Sequence, residues 1–231
     1  MKKLLSQFKK KFSNYMIKRM IKRSGFDSDK MFNIELCRGA KRCSRNVIDV
    51  TEVNKLIQNT LKESRIAPRL HKKLVDEEYI LPHHMFKLAI SGCVNGCSKP
   101  QIKDFAIVGQ LKPKIQEDLC IGCQRCLSTC QEDAIMLNDE EPDIDFDRCI
   151  FCGDCVKACP TEALTIKKVG YQIQVGGHLG RHPHLANIVT DLSDLEELMK
   201  ILNKAIKVFV EEGEGQERLG VTLNRLEMDL D

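Results

Sequence analysis

Apolar residues recur at three- and four-residue steps along the start of the chain: Leu4, Leu5, Phe8, Phe12, Tyr15, Met16 and Met20. That period predicts an amphipathic helix over 3–23, closed by Ser24-Gly25. A second stripe, Val47, Val50, Leu56, Ile57 and Leu61, predicts a helix over 46–63. The pattern then shortens. Phe86-Lys-Leu-Ala-Ile90, opened by Pro82, and Phe105-Ala-Ile-Val108-Gly109 are brief apolar runs between turn residues, and both read as strands. The alternation of Val169–Val175 (VGYQIQV) predicts a third. Ser193-Asp-Leu-Glu196 has the form of a capping box, and Leu195, Leu198, Leu202, Ile206 and Phe209 make a helical stripe behind it, ending at Gly213. Glu217–Met228 predicts a short last helix. Strands mixed with helices, and a stretch of different composition over 112–168, predict an α+β fold: a mixed sheet under helices, with a smaller module inserted.

Composition narrows this. A chain of 231 residues can bury a core for one domain and a smaller unit. With no Trp, three Tyr and nine Phe, the packing falls to Leu, Ile and Val. Twelve cysteines would suit a secreted disulfide scaffold, but there is no apolar signal-peptide core and no run of 18 apolar residues. A reducing cytoplasm, kept from oxygen, is the expected compartment. The net charge of +3 hides an asymmetry: residues 1–25 hold nine Lys or Arg and no acid, leaving 27 bases against 33 acids elsewhere. The body of the protein therefore carries no signal for nucleic acid. The basic helix can pack on its own domain or a second subunit, dock on an acidic partner, or lie on an anionic membrane surface.

The cysteine spacing carries the chemistry. Cys120-x2-Cys123-x2-Cys126-x3-Cys130 is followed by Cys149-x2-Cys152-x2-Cys155-x3-Cys159-Pro160. This doubled run is the bacterial two-cluster ferredoxin pattern, in which the fourth Cys of each run serves the other cluster. It assigns Cys120, Cys123, Cys126 and Cys159 to one [4Fe–4S] cluster and Cys149, Cys152, Cys155 and Cys130 to a second. Zinc also takes four thiolates, but does not explain two copies of the run. Gln131 replaces the proline expected after Cys130, and Asp118, Glu132, Asp133, Asp154 and 138–147 give the module an acidic skin. Two further pairs lie upstream, Cys37 with Cys43 in ELCRGAKRC and Cys93 with Cys97 in ISGCVNGCSKP. Glycines at 92 and 96 allow the close backbone approach that a cluster needs. By spacing alone, Cys37 and Cys43 read equally well as isolated thiols. The segment Gly176-Gly177-His178-Leu-Gly180-Arg181-His182-Pro183-His184 reads as a ligand-facing loop or as an ordinary turn with surface histidines.

Taken together, the Cys-x5-Cys pair, the Gly-Cys-x3-Cys pair after a strand and the later Gly-Gly loop resemble the nitrite/sulfite reductase family. LPHHMFKLAISGCVNGCSKPQIKDFAIVG and GYQIQVGGHLG carry the likeness, which covers about residues 33–231. It is nearest the small single-repeat relatives with an inserted ferredoxin module. The resemblance implies a sulfite reductase-like α/β domain over 30–111 and 169–231, an inserted bacterial-type two-[4Fe–4S] ferredoxin domain over 112–168, and the basic helix over 1–29. It implies a third [4Fe–4S] cluster on Cys37, Cys43, Cys93 and Cys97, coupled through Cys97 to siroheme. Lys87 would face a small inorganic anion, with Arg45 as further catalytic charge. Arg42, Gly176, Gly177 and Arg181 would border the cofactor. Siroheme carries eight carboxylates and the substrate is an anion, so the pocket needs fixed cations. Met85 stands where the family has a lysine, and residues 1–25 stand where relatives carry a ferredoxin-like domain that contributes arginines. A partner subunit could complete the pocket.

The function expected is a siroheme-dependent oxidoreductase that reduces sulfite, or nitrite, with electrons passed through the ferredoxin-type clusters. Its expected partners are an electron-donor protein or reductase subunit, in a homo- or hetero-oligomer. The alternatives are an electron-transfer subunit without siroheme, feeding a partner enzyme, and a sensor or scaffold that uses the clusters structurally.

Overall fold

In chain order the computed structural model contains β1 (Phe32–Leu36), α1 (Val50–Glu63), α2 (Ile66–Lys73), β2 (Phe86–Ser91), β3 (Phe105–Ile115) and α3 (Arg125–Thr129). There follow β4 (Ile135–Asn138), β5 (Glu141–Ile144), α4 (Asp154–Ala158), β6 (Leu164–Val175), β7 (Asn187–Ser193), α5 (Leu195–Lys207) and α6 (Leu219–Leu226). It describes residues 29–74, 80–138 and 141–230. The helix expected over 3–23 lies outside them. Among the described residues no helix is long and apolar enough to cross a membrane.

Five strands form one sheet in the order β1-β2-β3-β6-β7. β1, β2 and β3 are parallel, while β6 runs antiparallel to both β3 and β7. Alternation sorts the side chains between two faces. Phe86, Leu88 and Ile90 of β2, Phe105 and Ile107 of β3, and Ile173 and Val175 of β6 are all buried. They join Val50, Ile57 and Leu61 of α1, Leu70 of α2, Leu198 and Leu202 of α5 and Leu219 of α6 in one apolar core. The opposite face is built of small or polar side chains: Lys87, Ala89, Ser91, Ala106, Val108, Gln110, Gln172 and Gln174.

The helical stripes shift where local chemistry overrides period. The helix expected from 46 starts at Val50, because the Asp49 carboxylate accepts from the amides of Thr51 (2.8 Å) and Glu52 (3.0 Å) and caps it there. Val53 is buried on that helix while Leu56 is only half-buried. At the other end of the chain the cap is Asp194, not Ser193. Its carboxylate accepts from Glu197 N at 2.9 Å, while Ser193 ends β7 and donates to Tyr171 O at 2.8 Å. Leu195 is consequently 45% exposed, and Ile201 and Ala205 fill the buried stripe with Leu198, Leu202 and Ile206.

The junctions expected at 112 and 168 fall inside strands. β3 and β6 stay paired from Phe105↔Val175 out to Ile115↔Leu164, with a register shift between Lys112 and Pro113. Proline has no N–H to give a ladder, so it sits at the irregularity. This ribbon carries a unit made of α3, the β4–β5 hairpin and α4. The unit packs its own small cluster of Ile135, Ile144, Cys155 and Leu164.

Candidate functional site

β1 and β2 are parallel neighbours, so their C-terminal ends leave the sheet at the same edge. Cys37 follows β1 directly and its amide continues the pairing by donating to Ile90 O at 3.0 Å. Cys93 follows β2 by two residues. Residues 56 positions apart in sequence therefore begin adjacent loops. The Cys37 Sγ accepts from the amides of Gly39 (3.3 Å) and Gly92 (3.2 Å), one from each loop. Burial pushes the Cys93 thiol up; the Asn95 amide bonded to it acts the other way, and Cys43, Cys37 and Cys97 add to the rise as neighbouring charges. Cys37, Cys43 and Cys97 therefore lie close enough to Cys93 to act on it as charges. Cys93 is buried, Cys37 half-buried, and Cys43 and Cys97 are exposed.

Asn46 joins the two loops. Its Nδ2 donates to Gly39 O at 2.9 Å, and Val47 N donates to Gly92 O at 2.8 Å. A Cβ at Gly39 or Gly92 would stand 2.2 or 2.1 Å from the Asn46 Oδ1, so both positions must be glycine for the loops to close on this side chain. Sequence reading missed Asn46, since nothing in its own segment marks it. The paired glycines were the only signal.

The inserted unit holds the other eight cysteines in two recesses. One is lined by Cys120, Cys123, Cys126 and Cys159, the other by Cys130, Cys149, Cys152 and Cys155. Each run thus sends its fourth cysteine to the other's recess. The arrangement has a local cause: α3 and α4 are matching five-residue helices, preceded by left-handed Gln124 (φ 59°) and Gly153 (φ 74°). Burial pushes Cys155 up to about 12, reinforced by the charges of Cys152, Cys149 and Cys130. Burial also raises Cys126, Cys149 and Cys152. Left bare, these thiols hold their protons; a bound metal centre would remove them and take the thiolates as ligands.

All twelve cysteines are free thiols. Zinc would need its donors within about 2.0–2.3 Å of a single point. Among the described residues no three His, Cys, Asp or Glu side chains converge in that way, although four cysteines line each recess. This spacing, with amides aimed at sulfur, is what the residues present offer to an iron–sulfur group.

The remaining candidates divide. Lys87 stands half-buried on the small-and-polar face of the sheet, near the start of β2. Burial lowers its pKa, Arg218 lowers it further, Asp104 opposes, and Lys103 adds a smaller lowering. Arg45 is turned toward the inserted unit, where its Nη1 donates to Asp154 Oδ2 at 3.0 Å. Arg42 and Arg181 are exposed. Gly176 and Gly177 are filled by the protein itself rather than forming an open cradle. A Cβ on Gly177 would lie 2.3 Å from Gln101 O, and Gly176 (φ 87°) packs on Gly220. Their loop is an ordered hairpin in which His178 and His184 exchange backbone hydrogen bonds of 2.9 and 3.0 Å. It follows the C-terminal end of β6, at the edge where β2 and β3 begin, so it lies across the sheet from the four thiols.

The family model described as the nitrite and sulphite reductase 4Fe-4S domain matches residues 27–229. Coenzyme F420-dependent sulfite reductase of Methanocaldococcus jannaschii is 38% identical over 192 residues, covering 82% of this chain and 28% of that protein. A subunit of the anaerobic sulfite reductase of Salmonella typhimurium is 31% identical over 103 residues, 45% of this chain and 25% of the relative. The chain therefore spans about a quarter of the length of these curated relatives. A crystal structure of dissimilatory sulfite reductase I superimposes with a TM-score of 0.53 at 21% identity, over 84% of this chain and 49% of that one. That likeness extends the shared fold to the mixed sheet and its helices.

Proposed function

Because the chain belongs to the nitrite and sulphite reductase 4Fe-4S domain family, we propose that it is the siroheme- and iron–sulfur-dependent part of an oxidoreductase that reduces sulfite, or nitrite. The observation that carries this reading is that parallel β1 and β2 end side by side, so that the loops of Cys37 and Cys93 meet, with the Gly92 amide donating to Cys37 Sγ at 3.2 Å. Cys37, Cys43, Cys93 and Cys97 would hold a [4Fe–4S] cluster. Cys120, Cys123, Cys126 and Cys159 would hold a second and Cys130, Cys149, Cys152 and Cys155 a third, in an inserted two-cluster ferredoxin module. Siroheme, when bound, supplies the multi-electron reduction of the anion.

The chain's own residues support the assignment on the sheet's second face. Between Cys93 and Lys87 that face carries the small side chains of Ala89, Ser91 and Ala106, each at most 1% exposed, so a tetrapyrrole would have to displace what covers them. The Lys87 ammonium would hold the anion and stabilise charge that develops on it. Its lowered pKa makes it a readier proton donor than an ordinary lysine. Arg45, bonded to Asp154, has no part in this pocket as proposed.

A second reading keeps the three clusters but removes the tetrapyrrole: an electron-transfer subunit that feeds a partner enzyme. Met85 in place of a pocket lysine and the engagement of Arg45 favour it. The two separate on one preparation, purified anaerobically from cells that make siroheme. About twelve cluster irons per chain with siroheme absorption bands, followed by sulfite turnover, is the result expected for the reductase. Full iron without those bands moves the assignment to the electron-transfer subunit. About eight irons would remove Cys37, Cys43, Cys93 and Cys97 from the ligand set.

A further inference from the structure

Several contacts cross from the body to the inserted unit, and none of them serves the pocket just described. Arg45 Nη1 donates to Asp154 Oδ2 at 3.0 Å, and Lys157 Nζ donates to Ser44 O at 3.2 Å. Both reach between α4, which carries Cys155, and the two residues that directly follow Cys43. Beside them, Val94 and Asn95 line the recess of Cys130, Cys149, Cys152 and Cys155. Asn95 also donates its backbone amide to Cys93. A single dipeptide thus touches both cysteine sets. The recess of Cys120, Cys123, Cys126 and Cys159 is different: among the described residues, every one that lines it falls within 120–164.

We propose that Val94-Asn95 is the electron bridge from the inner centre (Cys130, Cys149, Cys152, Cys155) to the centre of Cys37, Cys43, Cys93 and Cys97. Arg45–Asp154 and Lys157–Ser44 are the clamp that sets its width. This rests on the reading that both sets carry clusters. Each transfer moves one electron: the inner centre is oxidised, the four-thiol centre is reduced, and no bond to a ligand is made or broken. The order of the relay follows, with the outer centre (Cys120, Cys123, Cys126, Cys159) receiving electrons first from a one-electron protein donor.

A clamp is needed because of how the unit is mounted. It hangs on a two-stranded ribbon broken by the register shift at Lys112/Pro113, and bulged ribbons bend and twist. Leu111 N donates to Phe151 O at 2.7 Å and Lys112 Nζ lies 4.3 Å from the Phe146 ring centroid, which steadies the base of the ribbon. The contacts at 44–45 hold α4 to the loop that follows Cys43. Tunnelling falls exponentially with the gap, so a pivot that opens this seam would cut transfer without disturbing either set of ligands. Arg45 and Lys157 are positioning residues in this scheme.

The test uses the anaerobically purified full chain, reduced with dithionite and frozen, and reads the magnetic coupling between reduced centres by electron paramagnetic resonance. Arg45→Asp and Asp154→Arg are each expected to lose the coupling seen in the wild type while keeping its iron content. The exchanged pair, Arg45→Asp with Asp154→Arg, should restore it. Arg69→Gln, which breaks the remote 2.6 Å pair with Glu211, should leave the coupling unchanged. Since Arg45 is half-exposed, Arg45→Gln keeps the test open if a charge reversal fails to fold. Wild-type coupling in Arg45→Asp, Asp154→Arg and Arg45→Gln alike would overturn the clamp with the cluster assignment intact. About eight irons in the wild type would instead overturn the reading beneath it.

Discussion

Asp104 is fully buried and ties β2, the start of α6 and the end of β6 together. Its carboxylate accepts from Lys87 N on β2 (2.8 Å), from Leu219 N at the start of α6 (3.3 Å), from Arg218 Nε (3.0 Å) and from Arg218 Nη2. Its own carbonyl accepts from Gly176 N at 2.9 Å, after β6. Replacing Arg218, itself 13% exposed, with Met removes both guanidinium bonds and leaves a buried carboxylate on two amides. Stranding one member of a buried pair costs about 3–5 kcal/mol. Against a domain stability of roughly 5–15 kcal/mol that is a large share. With a urea slope of about 2 kcal/mol/M, the unfolding midpoint should fall by about 1.5–2.5 M with the slope unchanged. Asp104→Asn strands the arginine instead and should cost a similar amount. The double variant Asp104→Asn with Arg218→Met keeps an oxygen for the Lys87 amide and removes both charges, so it should lose only about 1–2 kcal/mol. A loss below about 1 kcal/mol in Arg218→Met, or simple additivity in the double variant, would refute the argument.

The same substitution reaches Lys87. Burial is the main cause of its lowered pKa, and Arg218 is the second. Arg218→Met should therefore move the Lys87 pKa up, part of the way back toward 10.5. The sign for stability follows. A lysine that titrates lower in the folded chain costs stability at neutral pH, and the cost is relieved as pH rises from its folded pKa toward the unfolded one. The variant should show a shallower gain in stability on the alkaline side, and nuclear magnetic resonance of methylated lysines would report the shift directly.

Two further predictions concern the C-terminal segment. The Arg225 guanidinium, bonded to Glu217 at 3.1 and 3.0 Å, holds that carboxyl down at about 2; because its folded pKa is depressed from 4.5, the pair's stabilisation is present above pH 4.5 and is lost as pH falls toward 2. Solvent screens this pair, so Glu217→Gln should cost under about 1 kcal/mol at pH 7 and nothing near pH 2, read from acid unfolding curves. Gly220→Ala would place a Cβ 2.0 Å from Gly176 O, backbone that cannot rotate away; it should cost about 1–3 kcal/mol and lower Tm by several degrees in a thermal melt.

What the sequence made legible were features written into neighbouring residues. β2 and the first half of β3 stand where their apolar runs place them, and the interleaved cysteine runs line two recesses. β7 was missed because two register irregularities between Tyr171 and Gln174 break its alternation, leaving Ile188 56% exposed. The sequence reading places no helix at α2; there Pro68 sits in the first turn of Ile66–Lys73, where its missing N–H costs nothing. Other features are tertiary and leave little trace in one chain. Asn46 matters because two glycines from separate loops close on it, and Arg45 is drawn to Asp154 across 109 positions. A basic residue beside a cysteine says that a charge is present, and only geometry says what it faces.

Strand direction accounts for the placement of the inserted unit. β1, β2 and β3 are parallel, so the ends of β1 and β2, which deliver Cys37 and Cys93, leave the sheet at the edge where β3 also leaves. A chain inserted after β3, and returning through antiparallel β6, must emerge beside those thiols. The same insertion between β6 and β7 would emerge at the opposite edge, beside the Gly176–His184 loop and the start of β2. At about 3.3 Å per residue, the six residues of β2 separate the two edges by roughly 20 Å. The topology therefore puts the inserted cysteines next to the four-thiol site and leaves Lys87 and the glycine–histidine loop at the far edge. Under the proposed function, electrons carried by the inserted unit would arrive beside the upstream cysteines, and an anion held by Lys87 would sit a strand's length away from them.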